Sequence, residues 1–361
     1  MKKIHKLSAM FLTLCMIFLC SCSQSRDYCI YAQDKNGKAT VGMTEGMYNF
    51  FFSQKKTEYL TVLKYNDNTI TEDSPEIWDR VGDNGKTYGE TFEDQILEDA
   101  KYTVAASHIL YDVYGYKLPD AYTDYVDKLI LNNAVTGYGS KDEFSAYLSN
   151  FGTSYKEYCD LYYMTANVDL LKELLYNKDS GAVKFTDEEK RSFFAENFYT
   201  VNHIYINTNY DAKADGTKYA VTEEQKAQRE GTANEIFARL KAGESFEDIK
   251  NEYKDDAFVS VYTDKTFVNK NGSTALSQLG DTIKTMTPGE MKMCNTAVGT
   301  HILLRLETLP DDYNTDEDLD SSIISGLANE DFKKLIEKYK DEIKVNSDFT
   351  NGLNIANAPI S

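Results

Sequence analysis

The 361-residue sequence has little of what several common protein classes require. It contains only 5 Pro, 1 Trp and 6 Cys, and its 39 Lys and Arg are outnumbered by 58 Asp and Glu, which gives a net charge of −19. With 42% hydrophobic residues, the chain is neither collagen-like nor wholly disordered. A protein that binds phosphate backbones needs the opposite charge, so we expect no nucleic-acid partner.

The cysteines and other reactive residues form no known site pattern. Beyond residue 22, only Cys29, Cys159 and Cys294 remain, and an odd, widely spaced set does not build a disulfide framework. No Cys and His cluster has zinc-binding spacing. The sequence also lacks a phosphate-binding loop and a Ser/His/Asp signature. We therefore expect no metal and no cofactor.

The first 21 residues have the pattern of a signal peptide. Three Lys precede a mostly apolar stretch at 9–20, which is shorter than the roughly 20 residues that span a bilayer. The next residues, Leu19-Cys20-Ser21-Cys22, resemble a bacterial lipobox, which implies cleavage before Cys22 and lipid attachment to its sulfur. We expect an extracytoplasmic protein that is anchored to the bacterial cell membrane through Cys22. An ordinary secreted protein is the alternative.

Apolar residues at helical spacing dominate residues 44–198. Four helix starts carry Ser or Thr three residues before an acid, as in a capping box: Thr91, Ser140, Ser154 and Thr186. The pattern predicts an all-helical domain over 44–198.

The periodicity changes at residue 199. Residues 201–206 alternate like a strand, 223–241 have a helix pattern, and 298–307 have the pattern of a closing strand. These elements indicate an α+β domain inserted into a helical protein. The divisions that we expect are a signal peptide (1–21), an anchor and linker with a short strand (22–43), a helical domain (44–198), an α+β domain (199–309), an acidic linker (310–322), a C-terminal helix (323–346) and a frayed tail (347–361).

Five segments within 199–309 resemble, in order, the parvulin-type peptidyl-prolyl isomerase domain. They are Val201-Asn202-His203-Ile204, residues 238–249, Tyr253-Lys254-Asp255-Asp256, Pro288-Gly289-Glu290-Met291, and residues 299–304. The flanking regions resemble extracytoplasmic foldases of the PrsA and SurA type. The resemblance implies an α+β multidomain fold with an all-helical domain like the N-terminal domain of SurA, an inserted parvulin-like domain, and a C-terminal helix that packs back on the helical domain.

The resemblance also implies a reaction and its residues. Rotation about an Xaa-Pro amide has a barrier of about 18–20 kcal/mol and needs no covalent intermediate. The site must hold the proline ring and favour the twisted amide. In the parvulin pattern, His203 and His301 form a hydrogen-bonded pair beneath the groove, and Asp256 tunes the field near the amide carbonyl. Alternatively, the histidines are only a core pair and Asp256 is a solvated surface residue.

The substrate pocket departs from the family pattern. The pocket Met and Phe of the family fall at Ala275 and Leu279. Ala275 is smaller than methionine, and Leu279 lacks an aromatic ring. At about 25 cal/mol per Å², the lost apolar area costs a couple of kcal/mol of binding. Phe258, Phe267 or Met286 are candidates to rebuild the pocket.

Two functions therefore remain open. The first is a foldase with a parvulin-type isomerase activity, and the second is a non-catalytic holdase with a degenerate parvulin domain. A solute-binding lipoprotein would need two α/β lobes and is less expected. The expected partners are unfolded exported polypeptides, and a homodimer is left open. The acidic excess would either attract basic clients or repel an anionic surface.

Overall fold

The structure is a computed structural model that describes residues 27–70, 73–212, 215–270, 277–314, 317–350 and 353–361. The predicted signal peptide and the lipidation site Cys22 lie outside these ranges. The chain divides into two compact units. The first contains the described residues up to Lys184 together with Ala328–Ser361, and the second is Phe185–Leu327. Within the described ranges, no helix has the length and apolarity to cross a membrane.

The elements follow one another along the chain with few long connections. In chain order they are β1 (Tyr28–Gln33), β2 (Ala39–Thr44), α1 (Glu45–Asn66), α2 (Pro75–Trp78), α3 (Tyr88–His108), a π-helical turn (Ile109–Val113), α4 (Asp120–Tyr138), α5 (Lys141–Ser149), α6 (Tyr155–Tyr176), α7 (Asp187–Asn197), β3 (Phe198–Ile206), β4 (Tyr210–Ala212), β5 (Lys218–Ala220), α8 (Glu223–Lys241), α9 (Phe246–Tyr253), β6 (Val259–Asn269), α10 (Ser277–Lys284), β7 (Met291–Asn295), β8 (Thr300–Leu306), a 3-10 turn (Pro310–Asn314), α11 (Glu317–Lys340), β9 (Lys344–Val345) and α12 (Ser347–Thr350). This α+β multidomain arrangement confirms the expected fold class.

The first unit combines helices with a small antiparallel sheet in the order β2-β1-β9. One short strand was expected within residues 22–43, whereas the structure has two, β1 and β2. Burial of Cys29, Ile30 and Ala32 explains why β1 pairs with β2. The later part of α11 packs in this unit as expected, since Phe332 makes edge contacts with the rings of Tyr102 and Tyr176.

Helix caps follow the predicted pattern with one correction. Ser140, Ser154 and Thr186 each accept a hydrogen bond from the backbone N–H three residues later. Thr91, however, is inside α3 rather than at its start. The cap is Thr87, whose hydroxyl accepts from the N–H of Glu90 at 3.0 Å while the Glu90 carboxylate accepts from the N–H of Thr87 at 2.9 Å. The reciprocal pair satisfies two N–H groups at once, and the helix therefore begins four residues earlier than expected.

The acidic stretch and the last residues are more ordered than expected. Most of the predicted linker at 310–322 is the 3-10 turn and the start of α11, where negative charges lie favourably at a helix N terminus. The end of the chain is not frayed. Ile355 is buried, and the carbonyl of Ala358 accepts a hydrogen bond from Lys56 Nζ at 2.6 Å. A buried ammonium group is stable only with hydrogen-bond acceptors, so the bond from Lys56 to the Ala358 carbonyl holds the end of the chain in place.

We predict that Lys56→Met destabilises the first unit. Lys56 is fully buried and pairs with Asp73 at 2.8 Å, so its loss leaves a partly buried carboxylate without its cation. The expected cost is about 2–3 kcal/mol in the free energy of unfolding. Trp78, whose indole N–H donates to Asp73, reports this in urea titrations by fluorescence.

The matched control is Lys55→Met, one residue earlier on the same helix. Lys55 forms a surface pair with Glu58, which is worth at most about 0.5 kcal/mol. Equal effects from the two variants would show that the buried ion pair does not stabilise the unit.

The second unit is built on an antiparallel sheet in the order β6-β3-β8-β7. One face packs against α8 and α9 through a cluster of apolar side chains: Ile204, Ile206, Ile236, Ile249 and Ile302. Part of the other face packs against α10. Because β3 and β8 are the central strands, side chains near their middle are held by neighbours on both sides.

The helix α7 belongs to this second unit, whereas the sequence pattern groups it with the preceding helices. Phe194 of α7 is fully buried, stacks on Phe198 and meets the edge of Phe267 at 5.3 Å. Ile323, from the start of α11, is buried in the same cluster. Aromatic packing rather than helix periodicity decides which unit the helix joins.

Candidate active site

Two histidines meet on one face of the four-stranded sheet. In the antiparallel pairing of β3 with β8, His203 lies opposite Leu303 and Tyr205 lies opposite His301. Residues two apart on a strand share a face, so both histidines and Tyr205 project to the same side. His203 Nε2 lies 2.8 Å from His301 Nδ1, and the two rings are nearly parallel at 16°. The structure brings together the two histidines that the sequence singled out.

The pair continues into a third group, Thr296. Its hydroxyl lies 2.9 Å from His301 Nε2 and 3.2 Å from the carbonyl oxygen of Gly299. If the hydroxyl donates to Gly299, it accepts from His301 Nε2–H, and His301 Nδ1 then accepts from His203 Nε2–H. We assign these tautomers from the hydrogen-bond network. The resulting chain leaves His203 Nδ1 as an acceptor.

The histidines are neutral at physiological pH. Burial lowers the pKa of His203 to about 4, with the neighbouring His301 as a second cause. Burial also lowers the pKa of His301, whose side chain is only 1% exposed. A neutral pair can both donate and accept, so it holds a fixed geometry without adding a charge.

An exposed aromatic side chain lies beside the pair. Tyr262 of β6 is opposite His203 across the strands, and its ring stacks on the imidazole with centroids 5.4 Å apart at 16°. The Tyr262 side chain remains 48% exposed. On the other side, the Tyr205 ring lies 5.1 Å from His301, and its hydroxyl donates to the carbonyl of Val298. Four rings therefore form a continuous row across the sheet.

Sequence reasoning missed Thr296 and Tyr262. For Thr296, a weak signal was available, because a hydroxyl residue five positions before His301 falls at the turn between β7 and β8. For Tyr262 the signal was an aromatic residue shortly after the segment Tyr253-Lys254-Asp255-Asp256, which carries part of the family resemblance. Neither signal gives a contact until the strand register is known.

Asp256 makes a local structural contact. It lies between α9 and β6, where its Oδ1 accepts hydrogen bonds from the N–H groups of Phe258 at 2.8 Å and Val259 at 3.0 Å. These contacts stabilise the turn that leads into β6. Its implied action near an amide carbonyl stays a prediction. Among the described residues, no group of three His, Cys, Asp or Glu side chains could hold a metal ion.

Leu279 and Met286 lie together in a buried cluster under α10. They are only 9% and 6% exposed, and they pack with Ile283 and Leu303. Much of their apolar surface therefore contributes to the core of the domain. Ala275, the other family pocket position, lies outside the described residues.

The two phenylalanines that were expected to rebuild the pocket lie elsewhere. Phe258 packs against the apolar cluster on the opposite sheet face, with the Arg229 guanidinium 4.9 Å from its ring. Phe267 packs with Phe194 in the aromatic cluster of α7. The structure thus does not bring Phe258, Phe267 and Leu279 into one cluster.

The residues around His203 and His301 suit catalysis of rotation about an amide bond better than cleavage of a bond, because rotation requires no nucleophile. They offer neutral hydrogen-bonding groups, a half-exposed aromatic surface and a rigid sheet. The segment 183–307 matches the family model described as the PPIC-type PPIASE domain. This chain carries a parvulin domain. The parvulin domain includes α7, all strands of the four-stranded sheet and both histidines, and the resemblance inferred from five short segments is confirmed.

Solved structures of foldases are similar to much of the chain. PrsA from Bacillus subtilis is 19% identical, and the alignment covers 75% of this chain and 93% of that chain with a TM-score of 0.24. The foldase protein PrsA from Streptococcus pneumoniae is 15% identical, with 75% and 96% covered and a TM-score of 0.25. A SurA-like chaperone of Campylobacter jejuni is 15% identical, and the alignment covers 71% of this chain and 88% of that chain with a TM-score of 0.23.

At these TM-scores, nothing about the function of this chain follows from the likeness. A sequence comparison with curated proteins gave no match. The parvulin domain itself supports a role in protein folding.

We predict that acidification destabilises the parvulin domain through the histidine pair. Unfolded histidines have a pKa of 6.5, whereas the folded His203 has a pKa of about 4, so the unfolded chain binds more protons between these values. The free energy of unfolding should therefore fall as the pH drops from about 6.5 towards 4, and His203 alone accounts for about 3 kcal/mol. Hydrogen exchange of the β3 and β8 amides at several pH values measures this slope.

His203→Gln should flatten the slope, and His108→Gln in the first unit should leave it unchanged. A slope that is the same in wild type and His203→Gln would contradict the assignment of buried neutral histidines.

Proposed function

We propose that this chain is an extracytoplasmic foldase, anchored by lipid on Cys22, whose parvulin domain isomerises Xaa-Pro bonds of unfolded exported polypeptides. The observation that carries the proposal is the chain of hydrogen bonds from His203 through His301 to Thr296, inside the segment that matches the isomerase family model. Burial keeps the two histidines neutral, and the hydrogen bonds hold their rings in fixed positions. Rigid, pre-oriented groups favour a twisted amide because they need no rearrangement when it forms.

The proline ring requires an apolar contact, and Tyr262 is the best candidate. Leu279 and Met286 are largely buried in the domain core, whereas the Tyr262 ring is about half exposed next to His203. Aromatic faces are common partners of proline rings in recognition sites. A single aromatic contact gives a modest binding energy. Because each tenfold acceleration needs about 1.4 kcal/mol, we expect a modest isomerase rate.

Cis/trans exchange NMR on a short Xaa-Pro peptide, without a coupling protease, tests this activity on the chain from Ser23 onward. The wild type should accelerate exchange, and His203→Ala or Thr296→Val should reduce the acceleration about tenfold or more. Thr296→Val keeps the side-chain shape and removes the hydroxyl with its contacts to His301, Gly299 and the N–H of Val298. His108→Ala, in the first unit, serves as a matched control and should leave the rate unchanged.

Variants at two further residues separate the roles around the pair. Tyr262→Ala should raise KM, and Tyr262→Phe should restore it if the ring face binds proline. Asp256→Asn retains the carbonyl oxygen that caps the turn but removes the charge. A normal rate in Asp256→Asn would exclude the implied electrostatic role and leave Asp256 as a turn cap.

A non-catalytic holdase is the second candidate. The favouring observation is that Phe258, Phe267 and Leu279, all expected to form a proline pocket, belong to three different apolar clusters. In this case the chain from Ser23 would suppress aggregation of an unfolded client while leaving the exchange rate at its uncatalysed value.

Lipid anchoring is tested separately in bacteria. Metabolic labelling with a fatty acid should mark the wild-type chain, and Cys22→Ser should abolish the label and release the protein from the membrane. Cys20→Ser changes a neighbouring thiol that the lipobox pattern does not select, so its label should be retained. Labelling that survives Cys22→Ser would contradict the lipobox assignment.

A further inference from the structure

A cavity of about 390 Å³ lies within the first unit. All of its lining residues precede the parvulin domain in the sequence. The cavity is lined by residues of the β1–β2 hairpin, α1, α3 with its π-helical turn, α4 and α6. The lining residues that the argument uses are Met47, Tyr111, Asp127, Asp160, Tyr163 and Met164. The volume lies at the lower end of the range of about 300–1,000 Å³ that is usual for ligand pockets.

The inner part of the cavity suits an apolar side chain. Met47 and Met164 are 1% and 6% exposed, and methionine side chains adapt to differently shaped apolar partners. The polar groups nearby already satisfy one another. Asn167 donates to the hydroxyl of Ser107 at 3.0 Å and accepts from the Tyr111 hydroxyl at 3.0 Å. An apolar occupant therefore leaves no buried donor or acceptor without a partner in this network.

The π-helical turn places Tyr111 in this network. In the turn, the N–H of Tyr114 donates to the carbonyl of Ile109, five residues back, instead of four. Such turns cost helix regularity and occur frequently at functional sites. Here the irregular turn supplies part of the cavity wall through Tyr111.

The outer part of the cavity is acidic. Asp127 and Asp160 contribute to its lining, and among the described lining residues there is no Lys, Arg or His. The Tyr163 hydroxyl lies 2.8 Å from Asp127 Oδ1, which fixes the position of that carboxylate. Asp160 pairs with Lys156 at 2.7 Å, but the Lys156 side chain is 67% exposed. An exposed pair of this kind is worth at most about 1 kcal/mol, so a ligand cation can replace it.

We infer that this cavity binds an unfolded polypeptide at a segment where a Lys or Arg adjoins an apolar residue. The apolar side chain contacts Met47 and Met164, and the cation interacts with Asp127 and Asp160. The net charge of −19 adds long-range attraction for basic segments. The inference rests on the proposed chaperone role and gives that role a substrate class, with the two carboxylates deciding selectivity.

Fluorescence anisotropy with labelled, proline-free peptides tests the inference on the chain from Ser23 onward. Three unstructured peptides share their Leu and Ser positions and carry Lys, Gln or Glu at the remaining positions. The Lys peptide should bind about tenfold more tightly than the Gln peptide, and the Glu peptide most weakly. High salt should reduce the difference, because it screens the charges at the cavity mouth.

The variant Asp127→Asn with Asp160→Asn should bring the Lys peptide to the affinity of the Gln peptide. Its control is Asp124→Asn with Asp169→Asn, which removes the same charge from the same two helices outside the cavity lining and should retain the preference. An equal loss in both double variants would overturn the site and leave only a general charge effect.

The remaining outcomes also decide the question. Equal binding of all three peptides would overturn the basic selectivity while supporting a holdase. No binding of any peptide would overturn both the selectivity and the chaperone role of the first unit. The isomerase activity is measured independently by peptide exchange, so its failure is distinguishable from either result.

Discussion

The pairing of β3 with β8 is the constraint on which the parvulin domain depends. It brings together two histidines that are 98 residues apart in the chain and sets their ring nitrogens at 2.8 Å. Because both strands lie in the interior of the sheet, the histidines have neighbours on each side and are withdrawn from water. Burial then keeps them neutral, which makes a directional hydrogen-bonded pair favourable where a charged pair would repel.

The same sheet explains why the site differs from the pattern that the family resemblance implies. The domain uses Leu279 and Met286 to join α10 to the sheet, and it uses Phe267 to join α7. Those contacts stabilise the fold but leave less apolar surface for a proline ring. Tyr262, held by stacking on His203, is the aromatic surface that remains accessible beside the pair. Fold stability and substrate contact thus draw on different side chains here.

The first unit shows a different balance of apolar and charged groups. Its interior contains a fully buried Lys56 that is held by Asp73 and by a backbone carbonyl near the chain end. Its cavity places buried methionines next to carboxylates. At Lys56, the buried charge is stable because an oppositely charged and a hydrogen-bonding partner accompany it. At the cavity, the carboxylates instead lie on the outer, more exposed side, where the proposed basic ligand can reach them.

Local physics let the sequence alone determine many features. Capping residues such as Ser154 fixed helix starts, alternation placed His203 on a strand, and five short segments identified the parvulin domain. These signals act over a few residues, because hydrogen bonds of caps and the two-residue period of strands are local. The pairing of β9 with β1, the packing of α7, the contacts of Thr296 and Tyr262, and the separation of Phe258 from Leu279 were decided only by the tertiary structure. They depend on strand register and on competition among many apolar side chains for the same core, and neither is encoded in the spacing of neighbouring residues.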